Sequence, residues 1–222
     1  MRMAYRDLRG GSRHFLPILA GIALGVGAVV GVGAAADTVQ RAVSAAARSL
    51  MAADVEIAST RELTVSASSA VEVWTGRGVE RSRVTELLAM ASGPRFSALI
   101  ELKAVEAGYP FYGRVETIPA VPLAGLLGGG PPYGAVVQDA FLIRSGLRSG
   151  DHFTLGSAAF VVTAVLRAEP DRVLGTWSLG PRVLISREAL SRTGLIQPGS
   201  RVRYRTLLRV PETLAVDVVR RE

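Results

Sequence analysis

The chain has 222 residues, 26 Lys plus Arg against 19 Asp plus Glu for a net charge of +7, and no cysteine. That length holds one apolar segment plus one sizeable domain or two small ones. The missing cysteine excludes disulfides and thiolate metal sites, and basic residues scattered among acids after residue 37 argue against a nucleic-acid partner.

The first element governs the rest. Phe15 to Ala36 is a run of 22 residues without a charge, and as a helix it would be roughly 33 Å long against a hydrocarbon core of about 30 Å. No face of it is polar, as expected of a helix solvated by lipid or fully buried on all sides. Arg2, Arg6, Arg9 and Arg13 precede it with Asp7 as the single acid, so residues 1–14 are expected to stay cytoplasmic, residues 15–36 to span, and the remainder to lie outside the cytoplasmic membrane. A cleaved signal peptide is the alternative, since Ala34, Ala35 and Ala36 offer small residues at a cleavage site. Signal cores, however, run only about 7–15 residues, and Val39, Val43, Ala47 and Leu50 continue a helical spacing past that point. Within the span, Gly21-x-x-x-Gly25 and Gly27-x-x-x-Gly31 are spaced to let another helix approach closely, although glycine is also common in membrane helices generally. Their spacing is not that of a dinucleotide fingerprint.

Residues 37–53 are expected to carry the helix onward as a stalk. DVEIA at 54–58 alternates as a strand does, 66–75 has serine caps ahead of a short helix ended by Gly76 and Gly78, and 79–92 begins with strand alternation before a Gly93-Pro94 turn. Residues 96–107 alternate around Leu99, Glu101 and Lys103, the chain's only lysine, as the antiparallel partner of that strand. Residues 109–132, rich in Gly, Pro and aromatics, are expected to be loop throughout and to mark a subdomain boundary or a long connection. Gly128, Gly129 and Gly130 lack the Lys-Ser/Thr of a phosphate loop. Then come a strand at 135–139, a short helix at 140–147, a turn at Gly150-Asp151 leading into 152–156, and a strand at 160–166. A polar loop precedes a strand at 182–185. A helix at 187–193 is closed by Gly194, a last strand runs 200–210, and an amphipathic helix begins after Pro211.

Catalytic chemistry is sparse. His14 lies beside the apolar run and His152 in a predicted turn, without metal-ligand spacing, and there is no G-x-S-x-G elbow. Glu169 and Asp171 could pair on calcium or act as acid and base in a periplasmic hydrolase; an exposed charged loop is the plainer expectation. Ser178, Gly180, Pro181 and Arg182 are expected to set a turn between subdomains. No nucleotide, metal or catalytic constellation emerges, which points to a structural or transport subunit rather than an enzyme.

MAYRDLRGGSRHFLPILAGIALGVGAVVGV, LKAVEAGYPFYG, GDHFTLG followed by VLRAEPDR, and SLGPRVLIS with TGLIQPGSRVRYR together resemble the N-terminal part of bacterial ABC-transporter permeases of the FtsX, MacB and LolC superfamily, in its YbbP-like branch. The resemblance implies an α+β architecture: one N-terminal transmembrane helix extended into a stalk, then a mixed α/β periplasmic domain over 54–222, with residues 54–107 and 180–210 forming a porter-like part and 108–179 a β-rich insertion. It implies an inner-membrane permease subunit that couples a cytoplasmic ABC ATPase, the binder of ATP, to movement of the periplasmic domain in export or mechanotransmission. The chain itself would then need no cofactor. Its partners would be that ATPase, a second permease copy or the remaining permease helices, and membrane lipid. Relatives continue through further helices absent here, so the chain is expected to be the N-terminal portion of such a permease. A secreted or single-pass periplasmic binding module is the other function the sequence allows.

Overall fold

The computed structural model describes residues 4–172 and 179–221, with the backbone alone for 4–16, 41–51 and 221. Internal contacts divide the chain into two units at residues 47 and 48. The first unit is helical. It belongs to α1 (Ala4–Met51), whose stretch Pro17–Gln40 is long and apolar enough to cross a membrane and is exposed along its length.

The second unit is a mixed α/β domain. Its elements are β1 (Val55–Ser59), α2 (Val65–Gly76), β2 (Glu80–Gly93), β3 (Phe96–Val105), β4 (Glu116–Ile118), α3 (Leu123–Leu127), β5 (Tyr133–Gln138), α4 (Asp139–Ser145), β6 (His152–Leu155), β7 (Ala158–Ala168), β8 (Arg182–Ser186), α5 (Arg187–Thr193), β9 (Val202–Arg209) and α6 (Val216–Arg221). The strands run β1-β9-β2-β3-β8-β5-β7-β4. β2 and β3 pair antiparallel from Val84↔Val105 to Gly93↔Phe96, as their alternation predicts. Residues 108–179 form the excursion between β3 and β8, which lie side by side in parallel, and β5 then joins β8 antiparallel.

β6 closes a circuit. It pairs with β7 on one side and with the far end of β2 on the other, so β2, β3, β8, β5, β7 and β6 form a ring of pairings without an open edge. All six strands send apolar side chains to one common cluster, among them Leu87, Ile100, Val183, Val137, Phe160 and Phe153, joined by Phe141 of α4 and Leu190 of α5. Phe141, Phe153 and Phe160 stand 5.2 and 5.8 Å apart in succession, within the range where ring pairs add to simple burial. The 14-residue strand β2 spans both regimes, its first half pairing with β9 and its last residues with β6.

On the opposite face a second cluster gathers Val84, Val105, Val136, Leu184 and Leu207 with Leu126 and Leu127 of α3. A bulge decides which face β7 serves. Ala135 is opposite Val162 but Val136 is opposite Ala164, so one extra residue, Thr163, turns the even positions of β7 from the ring interior (Phe160, Val162) to the other face (Ala164, Leu166). A third cluster, Val71 and Trp74 of α2 with Leu208 and Val219, covers the β1–β9 end.

The loop expected throughout 109–132 is corrected: Glu116–Ile118 pairs with β7 and Leu123–Leu127 is a short helix. β4 has too few residues to display an alternation. In α3 the pattern Leu123, Leu126, Leu127 has helical spacing, hidden in the sequence by surrounding Gly and Pro. His152 opens β6 rather than sitting in a turn. Gly194 does end α5, adopting φ 66°, a conformation glycine reaches without steric cost.

Candidate functional site

The face of the sheet that carries the second cluster changes character halfway along its strands. Glu56 on β1, Arg205 on β9, Glu86 on β2, Lys103 and Glu101 on β3, and Arg182 on β8 form a charged band across five neighbouring strands, because strict alternation puts each on the same side as its apolar neighbour Leu207, Val84, Val105 or Leu184. Tyr109, just after β3, and Glu169 and Asp171, just after β7, close over it.

Lys103 is the centre. Its side chain is 1 % exposed, and its ammonium donates to Tyr109 Oη at 2.6 Å, to Asp171 Oδ1 at 2.8 Å and to Glu169 Oε1, which uses all three of its donors. Tyr109 Oη donates in turn to Asp171 Oδ1 at 2.5 Å, and the ammonium lies 4.4 Å from the Tyr109 ring centroid. Arg205 donates to Asp171 Oδ2 at 2.6 Å and forks onto Glu56 at 2.8 and 2.9 Å. Arg182 approaches Glu86 at 3.6 Å and Glu169 Oε2 at 3.4 Å. Glu169 Oε2 and Arg182 Nε are buried without a closed hydrogen bond.

Burial disfavours the Asp171 carboxylate, yet Lys103, Arg205 and its hydrogen bonds prevail and hold its pKa at about 2. Burial, with the charges of Glu169 and Asp171, pushes the Tyr109 phenol well above its ordinary value. Burial also works against the Arg205 charge, and its hydrogen bond to Glu56 with the carboxylates around it outweighs that and raises its pKa. The arrangement locks protons in place. A general base works best near the operating pH, and Asp171 is far below it. What the band can do is tie: it pins the chain after β7 to β3, and β9 to β1.

The exposed loop expected at Glu169 and Asp171 is therefore corrected, since their side chains are 1 % and 0 % exposed. The cation between them is the Lys103 ammonium. Two signals pointed here, the solitary lysine and the EPD run, but nothing in the sequence joined residues 66 and 68 positions apart.

The other predicted residues are dispersed. Arg2 and Ser178 lie outside the described residues. Arg6, Arg9 and Arg13 sit in the first turns of α1. Gly21, Gly25, Gly27 and Gly31 have open space where a side chain would stand, and at 100° per residue the two pairs form two stripes about 120° apart. Gly180 passes so close to β3 that an added Cβ would lie 2.5 Å from Leu99 O. Pro181 O accepts from Glu101 N at 3.0 Å, and Arg182 N donates to Gln138 Oε1 at 3.2 Å, so Gly180–Arg182 is gripped between β3 and β5. Among these, Arg182 alone belongs to the charged band.

No family model matches the chain. The uncharacterised ABC transporter permease YbbP of Escherichia coli strain K12 is 27 % identical over 205 residues, covering 92 % of this chain. The chain spans about a quarter of that relative's length, 24 %. Among solved structures, the periplasmic region of MacB from Actinobacillus actinomycetemcomitans overlaps 69 % of this chain and 69 % of its own length at 10 % identity and TM-score 0.45. The extracellular domain of the noncanonic ABC-type transporter YknZ from Gram-positive bacteria overlaps 65 % of the chain and 73 % of its own at 10 % identity and TM-score 0.41. The similarity to that permease runs over 92 % of the sequence, and with one candidate span among the described residues the chain fits an inner-membrane protein.

Proposed function

We propose that the chain works within an ABC-transporter permease subunit, coupling a cytoplasmic ATPase to movement of an extracytoplasmic domain in export or mechanotransmission. The observation that carries this reading is similarity to a permease over 92 % of the chain. In it, Arg2, Arg6, Arg9 and Arg13 keep the N-terminus cytoplasmic, and the two glycine stripes receive neighbouring permease helices. ATP belongs to the partner ATPase. The charged band supports a mechanical role: a domain that transmits displacement must resist shear between its strands, and the fork of Arg205 onto Glu56 and the three bonds of Lys103 cross-link them.

The test is intact mass of the membrane fraction combined with protease access from outside, on the chain with its native N-terminus. An uncleaved product digested only from outside is expected. A soluble product beginning near Asp37 would replace this reading by a secreted binding module.

A further inference from the structure

On the face opposite the charged band, between α2, α5 and strands β2 and β9, lies a cavity of about 140 Å³. That space is enough for one tetrahedral oxyanion, since a single water needs only about 10–15 Å³ by this measure. Arg81, Arg83 and Arg187 line it together with the hydroxyls of Ser68 and Tyr204 and the carboxylate of Glu62.

The charges there are not balanced by the protein. Arg83 and Arg187 share one carboxylate, Glu106, at 2.6 and 3.5 Å. Arg187 otherwise reaches Thr85 Oγ1 at 3.3 Å and the largely exposed Glu62 at 4.0 Å. Arg81 meets no carboxylate among the described residues. Burial first and then the neighbouring Arg83 charge lower the Arg187 pKa against the opposing pull of Glu106 and Glu62, as crowding of cations does. Three guanidiniums against Glu106 and the lining Glu62 leave an excess of one positive charge. Guanidinium forks match phosphate oxygens bidentately, and a phosphate oxyanion meets that excess.

We propose that this cavity is a phosphate-binding site, with Arg81, Arg83 and Arg187 as its cationic ligands and Tyr204 as a neutral donor. The inference stands apart from the permease reading. The phosphate is either free in solution or the headgroup of a lipid.

Calorimetric titration of the detergent-solubilised full chain decides it, with inorganic phosphate in one arm and dioctanoyl phosphatidic acid in the other, and dioctanoyl phosphatidylcholine as the control lipid. Saturable one-site binding is expected in at least one arm. Phosphate alone marks a free solute, and phosphatidic acid alone a headgroup. Arg81→Gln should weaken binding roughly tenfold, as loss of one charged contact does, without lowering the melting temperature. The exposed Arg144→Gln should leave it unchanged. Glu62→Gln, which removes the competing carboxylate, should tighten it severalfold, and this second variant reads the site even if Arg81→Gln perturbs folding. No binding in either arm up to about 10 mM, or binding indifferent to both Arg81→Gln and Glu62→Gln, would overturn the proposal.

Discussion

The two faces of the central sheet solve burial in opposite ways. The ring interior is filled by Phe, Leu, Val, Ile and Ala without a charge, so its stability grows with the apolar area removed from water. The other face buries Lys103, Glu169, Asp171 and Arg205 together. Its ions offset one another's desolvation only as a set. A core tolerates approximate replacement, whereas a charged band tolerates only matched replacement.

That contrast can be broken in order of effect. Lys103→Met should cost about 3–5 kcal/mol, because it leaves two buried carboxylates facing each other. Phe160→Ala should cost a similar 3–5 kcal/mol through its cavity. Denaturant unfolding of the solubilised chain measures both, and equality of the two losses is itself expected. Asp171 separates them by pH. Its folded pKa of about 2 lies below the ordinary 3.8, so its contribution is complete above about pH 4 and disappears as pH falls towards 2. Stability should drop by about 2 kcal/mol across that window, and the Asp171→Asn chain should lack the drop. The sharpest comparison combines Lys103→Met, Tyr109→Phe, Glu169→Leu and Asp171→Leu. Replacing these four together leaves Arg205 with Glu56 and Glu86 and no two buried carboxylates facing each other, and should recover part of the Lys103→Met loss, a rescue that Phe160→Ala has no counterpart for. Arg167→Ala, which breaks a solvent-exposed pair with Asp139, should change stability by less than about 1 kcal/mol.

The sequence was legible where local chemistry is decisive. Alternation placed β2 and β3 and their pairing, and Gly194 closed α5, whereas α2 is capped by Thr64 and takes the serines expected to cap it into the helix itself. An uncharged run of 22 residues announced the helix that spans Pro17–Gln40. Ring closure was not legible, because the β2–β6 pairing joins residues more than 60 positions apart at only two register positions. Nor was the bulge at Thr163, since FVVTAVL is apolar at almost every position and carries no period that the extra residue could interrupt. The charged band escaped for a third reason. Strand parity put Glu101 and Lys103 on one face, but a charged face is expected to meet water, and the residues that cover it come from beyond β7. Glu86, Glu56 and Arg205 look like ordinary surface charges until the pairing of β1, β9 and β2 aligns them.

Having a single lysine, and having it sealed inside, makes this protein a self-reporting probe. An amine-reactive reagent finds one ε-amino group in the whole sequence, and it can be acylated only when Tyr109 and the 169–171 segment lift away. The acylation rate therefore counts opening events of that segment directly, without an introduced label.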